Sequence, residues 1–193
     1  MRAFLAIPVV APALDALLLL RQQLVADLDG VRWAPIDSAH ITLHFLGALT
    51  EEQAALALRE LRPVIAAGAP ITLRLAGLGS FPSEARPRVL WCGVDGEIDA
   101  LRSVVERSAS VLESAGVTVD HRDQRPHCTL GRPRQPWPRE SIERWRGWVA
   151  RAPRTPAFSA DVAILYESVS RGGGVRHLAR ARLPLRGRGG DVQ

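Results

Sequence analysis

The string H-x-T-L occurs twice in this chain, at His40–Leu43 and His127–Leu130, so that the two copies stand 87 residues apart. With five His and six Thr in all, two H-x-T matches arise by chance about one time in a hundred, so the pair is read as a constraint on the fold. In a strand, alternate side chains share a face. His40 and Thr42 then point one way, while Ile41, Leu43 and Phe45 point into a core. In the second copy His127 and Thr129 oppose Cys128 and Leu130. Sliding the chain by 87 residues also lays Phe4 on Trp91, and each motif is preceded by a helix and followed by a helix and a strand. The pattern predicts two related lobes facing each other across a cleft.

Hydrophobic periodicity supplies the remaining elements. Strands are predicted at 2–9, 31–33, 40–47, 70–78, 87–95, 117–120, 127–132, 157–168 and 175–185. Helices are predicted at 12–28, with Leu14, Leu17, Leu18 and Leu24 inward, at 51–66, at 97–115 and near 138–150. Thr50 and Gln53 form a capping box for the second of these. Strands and helices joined by hairpin-like links favour α+β over a doubly wound parallel sheet. The expected fold is α+β, with two pseudo-symmetric lobes, each an antiparallel sheet with flanking helices, around a central cleft. Residues 1–185 are expected to form a single bilobal domain, and 186–193 a disordered tail.

Composition narrows the class of protein. An apolar fraction of 47% and a charged fraction of 23% are those of a folded globular chain. All 25 basic residues are Arg, and the net charge is +5; guanidinium pairs well with phosphate, although Arg-biased codon usage explains the composition equally well. Cys92 and Cys128 are too few and too far apart in sequence for a disulfide framework or a zinc site. Pro8, Pro12 and Asp15 interrupt the apolar N-terminus, which has no convincing cleavage site, and no stretch is long enough to span a bilayer. A cytoplasmic monomer is expected.

Two imidazoles and two hydroxyls on one face suit phosphodiester chemistry. A free imidazole titrates near pH 6.5, so one ring can accept a proton from water while the other donates one to a departing sugar oxygen. Thr42 and Thr129 would donate to the non-bridging oxygens. A metal site is the rival: His40 and His44 are spaced H-x-x-x-H, but four residues along a strand span about 13 Å, too far for one ion. No metal and no cofactor are therefore expected. His44, one step along the same face, is a candidate substrate contact. Arg125 and Arg132 can line the phosphate site, whereas Arg122 and Arg134 are read as solvated. Phe4 and Trp91 are candidates for base stacking, with a core role the competing assignment. Trp137, Trp145 and Trp148 are read as helix packing, and His121 and His177 as surface residues.

The segments MRAFLAI, VRWAPIDSAHITLHFLG, FPSEARPRVLWCGV, RPHCTLGR, LYES and HLARARLPL together resemble the 2H phosphoesterases, and within them the bacterial and archaeal RNA 2′,3′-cyclic phosphodiesterases, also labelled 2′-5′ RNA ligases. The resemblance implies metal-free hydrolysis of an RNA 2′,3′-cyclic phosphate end, from tRNA halves or cyclic nucleotides for example, to a 2′-phosphomonoester. It implies His40 as proton donor to the leaving 3′ oxygen, His127 as acceptor from water, Thr42 and Thr129 as phosphate holders, and Arg132 at the position of a phosphate contact. Gln124 and Cys128 depart from the family pattern, at a position where an aromatic and one where an aliphatic residue are usual. The reverse reaction, 2′-5′ ligation, and non-catalytic binding of RNA or a nucleotide remain the alternatives.

Overall fold

The computed structural model describes residues 1–120, 125–171 and 174–187. Nine strands and four helices follow in chain order: β1 (Arg2–Pro8), α1 (Ala13–Asp27), β2 (Val31–Trp33), β3 (His40–Ala48), α2 (Glu51–Ala67), β4 (Ile71–Phe81), β5 (Val89–Gly96), α3 (Ile98–Ser114), β6 (His127–Pro133), α4 (Arg139–Ala150), β7 (Phe158–Ala160), β8 (Val162–Arg171) and β9 (Gly174–Pro184). The strands form one curled antiparallel sheet in the order β7-β4-β5-β6-β3-β1-β8-β9, with β2 paired to β6. Its two halves meet at a seam between β3 and β6, where Ile41 lies opposite Cys128. The α+β class and the twofold pseudo-repeat expected from the sequence are both present.

One face of the sheet carries the core. Leu5, Ile7, Ile41, Leu90, Cys92 and Cys128 lie in a single buried apolar cluster with Leu17 and Leu24 of α1, Leu61 and Ile65 of α2, Leu101 and Leu112 of α3, and Trp145 of α4. The Thr50 hydroxyl accepts from the Gln53 amide at 3.1 Å and the Gln53 side chain accepts from the Thr50 amide at 2.9 Å, so the capping box forms as predicted. Trp145 and Trp148 pack as expected; the Trp148 indole N–H donates to Asp27 Oδ2 at 2.7 Å and ties α4 to the end of α1.

Several expectations need correction. Residues 117–120 form no strand: Val117 and Val119 are buried alternately, but that alternation reflects insertion into the core beyond the Gly116 turn. The predicted strand 157–168 breaks at Asp161, where the chain leaves β4 and crosses to β1, so β7 and β8 belong to opposite halves. On α1, Leu18 faces solvent. Cys92 and Cys128, remote in sequence, are direct cross-strand neighbours, both buried and both free thiols; burial pushes each up to about 12. His121, Arg122, Gln124 and most of the C-terminal tail lie outside the described residues.

The most consequential difference is a bulge in each motif strand. β3 pairs Thr42 with Ala6 and then His44 with Leu5, which leaves Leu43 as an extra residue. β6 likewise sets Thr129 opposite Trp91 and Gly131 opposite Leu90, leaving Leu130 over. An extra residue reverses the alternation beyond it. His44 therefore turns into the core rather than onto the face of His40 and Thr42, and Phe45 turns outward. The His44 ring is buried and its Nε2–H donates to Ser108 Oγ at 2.8 Å and lies 3.1 Å from the Val105 carbonyl of α3. Removing this side chain deletes a buried hydrogen bond and leaves a cavity. His44→Ala is expected to cost about 2–3 kcal/mol, a fall of roughly 5–10 °C in thermal midpoint; a variant as stable as the parent contradicts a buried tie to α3.

Candidate active site

Away from the core, the other face of the sheet brings the two motifs together. Extending the Ile41–Cys128 register by one residue each way sets His40 opposite Thr129 and Thr42 opposite His127, with Cα atoms roughly 5 Å apart. Four polar side chains then occupy a small patch in a crossed arrangement, each imidazole beside the other motif's hydroxyl. Of the residues predicted for the site, His40, His127, Thr42 and Thr129 share this face.

Both rings are held in the same way. His40 Nδ1 lies 2.6 Å from the Ser38 carbonyl, and His127 Nδ1 lies 2.7 Å from the Arg125 carbonyl, each acceptor two residues upstream of its histidine. A carbonyl only accepts, so Nδ1 must carry the proton in both rings. Each neutral ring thus presents an unprotonated Nε2, and each charged ring presents Nε2–H. Burial holds His40 below the ordinary histidine range; the Ser38 carbonyl pulls the other way, and the neighbouring His177 and His127 add to the lowering. For His127, burial again dominates, opposed by the Arg125 carbonyl and reinforced by the charge of Arg132.

Arg132 reaches this face because of the bulge at Leu130. Without the extra residue, strict alternation from His127 and Thr129 would place Gly131 outward and Arg132 in the core. Arg125 contributes its backbone carbonyl to His127, and its side chain is exposed.

Aromatic rings wall the two histidines unequally. Phe4 lies 5.0 Å from His40, stacks on Tyr166 at 5.1 Å and meets His177 edge-on at 4.8 Å. His177 in turn lies 5.4 Å from His40, and its Nδ1 is 3.3 Å from Ser168 Oγ across the β8–β9 hairpin. The expectation of a plain surface residue at His177 is thus wrong, because hairpin pairing folds it back over Phe4. Near His127, Phe81 lies at 5.1 Å and Trp91 at 6.1 Å. Phe4 and Trp91 both adjoin their histidines, but they are not register equivalents. Ala6 pairs with Thr42 as Trp91 pairs with Thr129, so the strands before the motifs are offset by two residues from the 87-residue shift. Tyr166, Phe81, Phe45 and His177 were missed because they come from strands without a motif or lie past a bulge; counting cross-strand register back from the LYES segment would have found Tyr166.

Trp91 owes its place to Gly79, its cross-strand partner on β4. A Cβ at Gly79 would lie 2.3 Å from the indole ring, so the ring lies flat across the glycine. Among the described residues, no group of three or more His, Cys, Asp and Glu is placed to hold a metal ion, and no helix is long and apolar enough to cross a membrane.

Comparison with known proteins gives a consistent picture. The family model described as LigT like Phosphoesterase matches residues 7–91. An RNA 2′,3′-cyclic phosphodiesterase of Aquifex aeolicus is 32% identical over 102 residues, which cover 52% of this chain and 54% of that protein. The chain thus matches about half the length of this relative. In fold, a protein of Thermus thermophilus superposes with a TM-score of 0.77 at 24% identity, covering 98% of this chain and 100% of its own. E. coli LigT, in a complex with 3′-AMP, gives 0.73 at 21% identity, covering 95% and 96%.

If Trp91 and Gly79 are coupled as described, Gly79→Ala destabilises the protein by about 1–3 kcal/mol. In a Trp91→Ala background the same change is expected to cost less than about 1 kcal/mol. Additive costs in the double-mutant cycle contradict the packing.

Proposed function

We propose that this chain, which is similar to the LigT-like phosphoesterases, hydrolyses RNA 2′,3′-cyclic phosphate ends to 2′-phosphomonoesters by a two-histidine mechanism without a metal ion. The observation that carries the proposal is the mirrored pair of Nδ1–H to carbonyl bonds, which leaves both Nε2 atoms for proton transfer on one face. The name of the Aquifex aeolicus relative supports the substrate class, and the 3′-AMP complex of E. coli LigT supports a nucleotide ligand.

In this mechanism the cyclic phosphate rests on the seam, its non-bridging oxygens taking hydrogen bonds from Thr42, Thr129 and Arg132. The Nε2 of neutral His127 takes a proton from the attacking water. The Nε2–H of charged His40 delivers a proton to the 3′ oxygen as its bond to phosphorus breaks, leaving the phosphate on the 2′ oxygen. Arg132 beside His127 favours the uncharged ring there, which supports His127 as the base. An anionic substrate between the rings favours the charged form of His40, opposing the effect of burial. Acid, base and phosphate donors are all supplied by side chains, so no step uses a metal. Trp91 and the exposed Phe45 offer surfaces for the terminal nucleoside, whereas Phe4, expected as a stacking surface, is buried under Tyr166 and His177 and takes the competing packing role.

An oligonucleotide ending in 2′,3′-cyclic phosphate, incubated with the protein in excess chelator, should yield a 2′-phosphate end. His40→Ala and His127→Ala are each expected to lower kcat/KM by about 10²–10⁴-fold. Full activity in either variant, or loss of the parent's activity in chelator, overturns the mechanism.

A further inference from the structure

Beside Arg132 stands a second guanidinium that the mechanism does not use. β2 pairs with β6 in a register that sets Arg32 directly opposite Arg132, and both side chains are exposed. Their strand neighbours point the other way: Val31 is buried in the core, and Trp33 packs against it. Opposed residues on antiparallel strands project from the same face, so Arg32 shares the face of His127, Thr129 and Arg132. The approach is close because position 131 is glycine; a Cβ there would lie 2.8 Å from Val31 Cγ1 and 3.1 Å from the Arg32 carbonyl oxygen.

Like charges directly opposite each other on a sheet are destabilising. Neither guanidinium takes part in an ion pair or side-chain hydrogen bond among the described residues. Some arginines elsewhere in the chain are matched to acids, as in Arg139 with Glu143 and Arg180 with Glu167. An unneutralised pair on the active face is the arrangement expected where the missing charge arrives with the ligand. Along β6, the Arg132 row follows that of Thr129 as the next outward position, roughly 7 Å on. That places Arg32 beyond the reacting phosphate, to one side of it.

We propose that Arg32 is a second phosphate-binding residue, which holds the phosphodiester adjacent to the reacting one while Arg132 holds the reacting phosphate. The site would therefore select the end of an RNA strand over a free cyclic mononucleotide. This inference rests on the function proposed above, and it adds to that function a residue and a substrate length. A guanidinium keeps its proton throughout the reaction and so takes no part in the proton transfers, and the loss of Arg32 acts on binding. Because the residue it opposes is also a cation, its removal relieves repulsion in the free protein rather than breaking a contact.

Arg32→Gln and Arg32→Lys test the proposal with two substrates, a pentanucleotide ending in 2′,3′-cyclic phosphate and adenosine 2′,3′-cyclic phosphate. For Arg32→Gln, KM for the pentanucleotide should rise about tenfold with kcat within about twofold, while both constants for the mononucleotide stay at parental values. The slope of log Kd against log salt, measured with a pentanucleotide ending in 2′-phosphate, should weaken by about 0.7, one phosphate contact on a single strand. Arg32→Lys should restore most of the pentanucleotide affinity. The thermal midpoint of Arg32→Gln should equal or exceed that of the parent. Equal losses on both substrates, or no loss on either, overturn the second phosphate site, as does a lowered thermal midpoint accompanying the loss. If the parent cleaves neither substrate, the proposed reaction itself fails, and the pentanucleotide Kd still decides Arg32: an unchanged Kd in Arg32→Gln refutes it.

Discussion

The seam between β3 and β6 fixes the chemistry available to this chain. Ile41 opposite Cys128 joins the two halves of the sheet, and the antiparallel direction of that pairing crosses the motifs, so that each histidine meets the other strand's threonine. Had the two strands run parallel, the rings would stand side by side and the hydroxyls would be displaced along the sheet. Apolar burial secures the register. Ile41 and Cys128 are both fully buried, and a one-residue slip would push an imidazole into the core and a core side chain into solvent.

Upon this register the two bulges act as selectors. They take residues just past each motif and reverse their direction, and the outcome differs between halves because the sequences differ. In the first half the bulge at Leu43 buries His44 and exposes Phe45; in the second, the bulge at Leu130 turns Arg132 outward. One bulge at the end of each motif thus yields an asymmetric site, with an aromatic ring past one histidine and a guanidinium past the other. The asymmetry extends to the walls: Phe4, Tyr166 and His177 surround His40, while Phe81 and Trp91 adjoin His127. In the proposed reaction this difference separates a ring kept neutral beside Arg132 from one that carries a proton.

Much of this was legible in the amino-acid sequence. Repetition of H-x-T-L with period-2 burial located four of the side chains on the shared face, and the capping box at Thr50 and the helix packing of Trp145 followed from local rules. What escaped were effects of pairing rather than of propensity. Strict alternation placed His44 beside His40, because nothing in the string HITLHFLG marks Leu43 as an extra residue. The 87-residue shift aligned Phe4 with Trp91 because both precede a motif, although the ladders show the preceding strands offset by two. His177 and Arg32 carry no motif, and only the β8–β9 and β2–β6 registers bring them to the site.

The mirrored carbonyl contacts make a claim about proton position that spectroscopy can read directly. Long-range ¹⁵N–¹H correlation spectra of the protein, recorded above the titration of both rings and assigned with single His→Gln variants, report the tautomer of each imidazole. His40 and His127 should both be protonated at Nδ1 with bare Nε2 atoms. Protonation at Nε2 in either neutral ring would contradict the two-histidine arrangement.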